Sequence, residues 1–346
     1  MFEEIIDQDL AKQMVGNCIR EGTLPSALLF YGPEGVGKRT FALVIARVLN
    51  CSEVEEGCCG RCASCKAIGD LVHPNLRVIF PVRRAGSLEG LPEPELYDRQ
   101  GTISIDLVRI LKREATLAPY QKGKRVFVVL DADRMTEEAR NAFLKLLEEP
   151  PADTVLILTT SRPNELSLTT LSRCQRIRFG RLPHDEIENA LVSKKGADRK
   201  RARLVASLSG GSLGRAERML EEYAEEHRLG TFDFVLNRTP EDDLEVLDLA
   251  QSLVNDDMVY SSLEVTESIL RDLLAVKMGA GETVVNRDQM ELLEKGARGR
   301  AWREICDMID EVEEASIELG RNVNPRLVLF NMLSRIHEKD LAGAGV

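Results

Sequence analysis

The chain reads as an α/β fold with a parallel sheet, followed by helical domains. Three observations predict this. Short apolar runs alternate with amphipathic stretches up to about residue 180, the pattern of parallel strands joined by crossover helices. A glycine-rich loop, Gly32-Pro-Glu-Gly-Val-Gly-Lys38, follows the first apolar run and opens a helical pattern. Beyond Leu182-Pro183 strand signals nearly vanish and a 3.6-residue period takes over.

The candidate strands, in order, are Ala27–Tyr31, Leu76–Pro81, Arg125–Leu130 and Thr154–Thr159, with Arg176–Phe179 closing the sheet. Helices are expected between them, notably Lys38–Leu49, Ile105–Ala118 and Thr136–Leu147. The stretch Val82–Gly101 is rich in Pro, Gly and charge without periodicity, and reads as a surface loop inserted into the α/β part. Residues 184–220 read as a small helical domain with a break at Gly210-Gly211. From about 223 onward helical patterns continue, with polar breaks near 238–241, 279–283 and 322–325. A length of 346 residues suggests two or three domains.

Hydrophobic content of 43% with 30% charged residues is ordinary for a soluble globular protein. The start, Met1-Phe-Glu-Glu-Ile-Ile-Asp7, lacks the basic-then-apolar layout of a signal peptide. No apolar stretch approaches the roughly 18 residues that a membrane helix needs, so the expected location is cytoplasmic. The net charge of −11 is unevenly spread: residues 221–346 carry −15 and the rest +4. Such an acidic C-terminal third excludes nucleic-acid binding through bulk charge, and any DNA contact must come from local basic clusters earlier in the chain.

The glycine loop sits where phosphate binding requires it. Glycine backbones let amide groups face phosphate oxygens, a helix N-terminus stands behind them, and Lys38 supplies a cation. The residue after this Lys should be Ser or Thr, whose hydroxyl ligates Mg²⁺. Arg39 stands there, without an acceptor atom and with a charge that repels the metal. Thr40 comes one position late, about 100° further round the helix. A second departure closes the run Val126–Leu130. Asp131-Ala132-Asp133 places Ala where a hydrolytic ATPase of this type has the Glu that orients water. Nucleotide binding stays open on this reading; efficient Mg²⁺-dependent hydrolysis does not.

Cys59-x2-Cys62-x2-Cys65 lies in a short polar stretch, with Cys51 upstream and Cys58 adjacent. Four thiolates at such spacing make a closed tetrahedral Zn²⁺ site, structural rather than catalytic, and cytoplasmic disulfides are disfavoured. Reduced thiols or an iron–sulfur cluster are the alternatives. The spacing favours Cys59 over Cys58, and the Pro74 neighbour of His73 marks a turn rather than a ligand. In Leu171-Ser172-Arg173-Cys174, local evidence alone makes Arg173 a solvated surface charge. Cys174 reads as a small buried residue, because no His lies near it.

Taken together, the motifs resemble the clamp-loader family of DNA polymerase III, its delta-prime branch above all, and more loosely gamma/tau and replication factor C subunits. The matching stretches are Phe2…Ile6-Asp7-Gln8, Gly32–Lys38, the four cysteines, His73-Pro74-Asn75-Leu76 and Asp131–Met135. They continue with Asn141-Ala142, Leu146-Leu-Glu-Glu-Pro-Pro151, Thr159-Thr160, Ser172-Arg-Cys174 and Asn322–Leu327. The resemblance implies an AAA+ P-loop domain over 1–181 with a zinc module at 51–65, a small helical lid over 182–222 and an all-α collar for oligomerisation over 223–346. Its implied nucleotide-site residues are Gly32, Gly35, Gly37, Lys38, Thr40, Asp131 and Thr160; its zinc ligands are Cys51, Cys59, Cys62 and Cys65. It also implies that Arg173 reaches in trans into the ATP site of an adjacent subunit and neutralises γ-phosphate charge.

The implied partners are the gamma/tau ATPase, the delta subunit, the sliding clamp and primer–template DNA, within a hetero-oligomeric ring of the polymerase holoenzyme. Arg109, Lys112 and Arg113 are candidate phosphate contacts, or equally a solvated helix face. Three losses relative to active members agree: Arg39, Ala132, and Gly214 where a phosphate-sensing Arg is expected, Arg215 being one step late. They favour a stator without intrinsic ATPase over the alternative, an active gamma/tau-type motor. A zinc scaffold outside replication is the other rival.

Overall fold

The computed structural model describes residues 1–53, 57–83, 96–98, 101–116, 123–222, 225–236, 243–255, 259–320 and 323–343. They form two compact units, Met1–Glu186 with Gly211–Gly214, and Ile187–Gly210 with Arg215–Val346.

In the first unit the chain runs α1 (Asp9–Arg20), β1 (Ala27–Tyr31), α2 (Lys38–Asn50), α3 (Ala63–Gly69), β2 (Leu76–Ile79) and α4 (Ile105–Thr116). It continues with β3 (Arg125–Val129), α5 (Glu137–Glu148), β4 (Thr154–Thr160), α6 (Leu168–Arg173) and β5 (Gln175–Arg178). The strands make one sheet in the order β2-β3-β4-β1-β5, every pairing parallel. Leu156 of β4 stands between Ala27 of β1 and Phe127 of β3. β3 and β4 are buried along their whole lengths, which explains their unbroken apolar runs. β5 is an edge, and its exposed Arg176 and Arg178 discourage further strand pairing.

The predicted elements lie within a residue or two of those observed, except that the expected end of the Ile105–Ala118 helix, residues 117–118, lies outside the described residues. Phe179, counted as strand from its sequence, still donates its N–H to Tyr31 O at 2.8 Å just beyond β5. α5 begins after Thr136, whose hydroxyl accepts the Ala139 N–H at 3.2 Å, and Glu137 and Glu138 suit the positive helix end. At the loop end of the sheet Phe2, Phe30, Phe41 and Phe179 form an aromatic cluster, with ring centroids 4.9–5.5 Å apart. Of the inserted segment 82–101, residues 84–95 and 99–100 lie outside the described residues. Its two ends are stapled to each other just past β2: Val82 bridges Thr102, and Asp98 N–H donates to Pro81 O at 3.0 Å.

The second unit is helical among its described residues. It comprises most of α7 (His184–Lys195) and α9 (Leu213–Glu222), with α8 (Arg199–Leu208), α10 (Glu225–Leu236) and α11 (Asp243–Asn255). α12 (Val259–Lys277), α13 (Met290–Gly299), α14 (Trp302–Gly320) and α15 (Pro325–Gly343) complete it. Gly210-Gly211 separates α8 from α9, and the break near 279–283 separates α12 from α13. The break at 238–241 and Asn322 lie outside the described residues. Arg228 is fully buried, bonded to Asn286 and Asp288 and lying 5.5 Å from the Phe232 ring centroid. No described helix is long and apolar enough to cross a membrane.

Candidate functional site

The loop between β1 and α2 has the backbone of a phosphate cradle. Gly32 (φ 143°) and Gly35 (φ 70°) adopt conformations that side chains rarely take, and a Cβ on either would fall 2.2 Å from Phe179 O or Ser212 Oγ respectively. Gly37 caps α2 and leaves its first amides without a side-chain partner. Yet the polar groups around this cradle are engaged among themselves. Lys38 Nζ donates to Gly32 O at 2.7 Å and to Pro33 O at 2.5 Å. Burial lowers its pKa from 10.5 to about 8, against the opposing pull of Asp131, Glu34 and Asp133. Arg39 and Thr40 are both exposed.

At the end of β3, Asp131 takes a left-handed conformation (φ 48°) and opens the short turn Ala132–Arg134. Its Oδ2 accepts a 2.6 Å hydrogen bond from the Tyr97 hydroxyl, supplied by the inserted segment. Burial pushes the Asp131 carboxyl up despite that bond. Ala132 is fully buried. Thr160, also buried, donates to Asp133 Oδ1 at 2.6 Å and accepts the Arg162 N–H at 2.9 Å. Gly214 lies against the cradle, its N–H donating to Gly35 O at 2.9 Å. A Cβ there would come within 3.1 Å of Gly35 Cα, so a larger residue would press on the loop. The neighbouring Arg215 has its Nε 2.8 Å from Glu264 Oε1.

The four cysteines converge. The Sγ atoms of Cys51, Cys59, Cys62 and Cys65 all lie within 4.8 Å of one another, and Cys58 is outside the group. Helix ends bring them there: Cys51 caps the end of α2 and Cys62 the start of α3, with Cys65 in the first turn of α3. Backbone amides point at sulfur, Cys62 N–H to Cys59 Sγ at 3.3 Å and Cys65 N–H to Cys62 Sγ at 3.4 Å. Burial raises the Cys62 thiol, but hydrogen bonds from the backbone amides and the side chains of Ser52 and Cys65 outweigh it and bring the pKa to about 6. A metal bound at about 2.3 Å by four sulfurs needs them about 3.8 Å apart, so this set could hold zinc. His73 is not a member of the group. Its Nδ1 accepts the Asn75 N–H at 3.1 Å, so its Nε2 carries the proton toward Ser64 Oγ, 2.8 Å away.

Arg173, the last residue of α6, is partly exposed. Its Nη2 donates to Glu148 Oε1 at 2.7 Å and its Nη1 to Thr169 O at 3.1 Å. Cys174 beside it is buried, its thiol pushed up to about 11 by desolvation. On α4, Arg109 pairs with Asp106 at 3.0 Å. Sequence reasoning missed two functional candidates, Tyr97 and Glu148. Tyr97 carried no signal, since it lies in a stretch without periodicity. Glu148 carried one: an acid at the C-terminal end of a helix, where the dipole disfavours it.

A family model described as DNA polymerase III, delta subunit, matches residues 7–183. The chain belongs to this family. A second model, described as the C-terminal part of that subunit, matches residues 228–338. The chain is 26% identical over 337 residues to the DNA polymerase III subunit delta' of Bacillus subtilis, covering 96% of both proteins. It is 28% identical to DNA polymerase III subunit tau of the same organism over 64% of this chain but only 37% of that longer protein. Against gamma/tau of Mycobacterium bovis identity is 33%, over 53% of this chain and 29% of that protein. The first unit, with its glycine loop and parallel sheet, is thus an α/β domain of the DNA polymerase III delta-subunit family, and a helical part follows it.

Proposed function

We propose that this chain is the stator of a DNA polymerase III clamp loader, of delta-prime type, and that it hydrolyses no ATP itself. It would lend Arg173 in trans to the ATP site of a neighbouring gamma/tau-type subunit. Its other partners would be the delta subunit, the sliding clamp and primer–template DNA, in a cytoplasmic hetero-oligomeric ring. Residues 1–181 would form the P-loop domain, 182–222 the lid and 223–346 the collar that holds the ring. Zinc on Cys51, Cys59, Cys62 and Cys65 would be structural.

The observation that carries this reading is the contrast between two sites in one unit. Around the glycine loop, Lys38 is turned onto loop carbonyls, Asp131 is capped by Tyr97, and Ala132 offers no base. Arg173, by contrast, stands on a braced helix whose first residue, Leu168, is 83% exposed. Such a guanidinium stabilises charge on transferring phosphoryl oxygens without any chemistry in its own chain.

The test is a loader reconstituted with Arg173→Ala. Loss of a trans arginine costs on the order of 10³-fold at the site it serves. Because a ring has several ATP sites, total DNA-stimulated turnover should fall in part, clamp loading should fall, and assembly should persist. Normal assembly with unchanged clamp loading would make Arg173 a bystander.

A further inference from the structure

We infer that Glu148 is the positioning residue of Arg173: it sets the guanidinium for a phosphate delivered by the adjoining subunit. The inference rests on the trans role just proposed. Glu148 ends α5, and Arg173 ends α6, which packs against it. Glu148 Oε1 takes one Nη2 proton at 2.7 Å, and the carbonyl of Thr169, which also accepts the Ser172 hydroxyl, takes one from Nη1 at 3.1 Å. One edge of the planar fork is therefore held. Nη1 also lies 3.5 Å from Ser172 Oγ, and Arg173 Nε makes no hydrogen bond among the described residues. A second link fixes the platform, since Arg140 of α5 donates to Glu165 O just before α6 at 3.2 Å.

The placement of the acid argues for function over stability. Glu148 and Glu149 stand together where α5 ends, at the negative pole of the helix dipole. Stability alone favours Lys or Arg there. The pair is also too exposed to add much to folding, with side-chain exposures of 33% for Arg173 and 47% for Glu148. Its effect is geometric: an Arg side chain has many rotamers, and a carboxylate at one edge removes most of them before the phosphate arrives.

The experiment uses the reconstituted loader with its ATPase subunits, clamp and primed DNA. The readout is that part of the saturated, DNA-stimulated turnover which Arg173→Ala abolishes. Glu148→Ala should lower this part on the order of tenfold with the KM for ATP unchanged. Glu148→Gln, a neutral acceptor of the same reach, should restore most of it, and native-like dichroism with normal ring assembly in the Ala variant separates the loss from a folding defect. The double variant Glu148→Ala, Arg173→Ala should match Arg173→Ala alone, since the two act as one unit. Unchanged or faster turnover in both Glu148 variants would overturn the inference while leaving the role of Arg173 standing. A double variant slower than Arg173→Ala alone would also overturn it, because Glu148 would then act elsewhere. If Arg173→Ala itself leaves turnover intact, the trans role fails and the positioning role with it.

Discussion

The Tyr97 hydroxyl donates to Asp131 Oδ2 at 2.6 Å, so the carboxylate that would hold a metal's ligand shell already has a partner. The phenol reaches it because the end of the inserted segment is held against the chain just past β2, with Tyr97 edge-on to Phe80 at 5.8 Å. On the proposed reading, Arg39 and Ala132 would remove two further parts of the same machinery by side-chain chemistry alone.

Purified protein is therefore expected to show negligible Mg²⁺-dependent ATP turnover. Neither Ala132→Glu nor Tyr97→Phe alone should restore it, because Arg39 still excludes the metal. A coupled phosphate-release assay checks this, with Lys38→Ala as the control. Turnover at the rate of an active loader ATPase, lost in that control, would refute the assignment.

Lys38 should give a distinct pH signature. Its amine titrates near 8 in the folded chain against an ordinary 10.5, because burial disfavours the charge. Below pH 8 both states are protonated and the full penalty is carried. Between about 8 and 10.5 the unfolded chain binds more protons, so this group makes stability rise with pH. Melting temperature followed across that window should rise more steeply in the wild type than in Lys38→Met, and equal slopes would contradict the shift.

Reduced protein should contain one zinc ion per chain, held by Cys51, Cys59, Cys62 and Cys65. Replacing any of these by Ser should lose the metal and disorder the segment around α3, since binding and local folding are coupled. The sheet should survive, because the module is an insertion between α2 and β2. Elemental analysis and far-UV dichroism check both halves. Metal retained in Cys59→Ser but lost in Cys58→Ser would show that the wrong neighbour was chosen.

Gln8 clamps the N-terminal segment to the end of the sheet. Its amide nitrogen donates to Gly180 O and its amide oxygen accepts the Gly180 N–H, both at 2.9 Å. Gln8→Ala should cost about 1 kcal/mol, a modest figure because Gly180 is exposed and its freed groups can bind water. A urea unfolding midpoint unchanged within error would show that the clamp contributes nothing.

Much of this protein follows from its sequence by itself. The unbroken apolar runs of β3 and β4 and the helical periods between the strands depend on neighbours a few residues away, so local patterning locates them. The losses at Arg39 and Ala132 are matters of residue type, and the cysteine spacing already implies a single cluster. Tertiary structure decided what depends on distance between remote residues. Strand order, the approach of Tyr97 to Asp131 across 34 positions, the seat of Gly214 on Gly35 and the hold of Glu148 on Arg173 are of this kind. No periodicity encodes such pairings: each arises when packing of the apolar sheet and helices fixes the backbone, and the polar ends then take whichever partner falls within hydrogen-bonding reach.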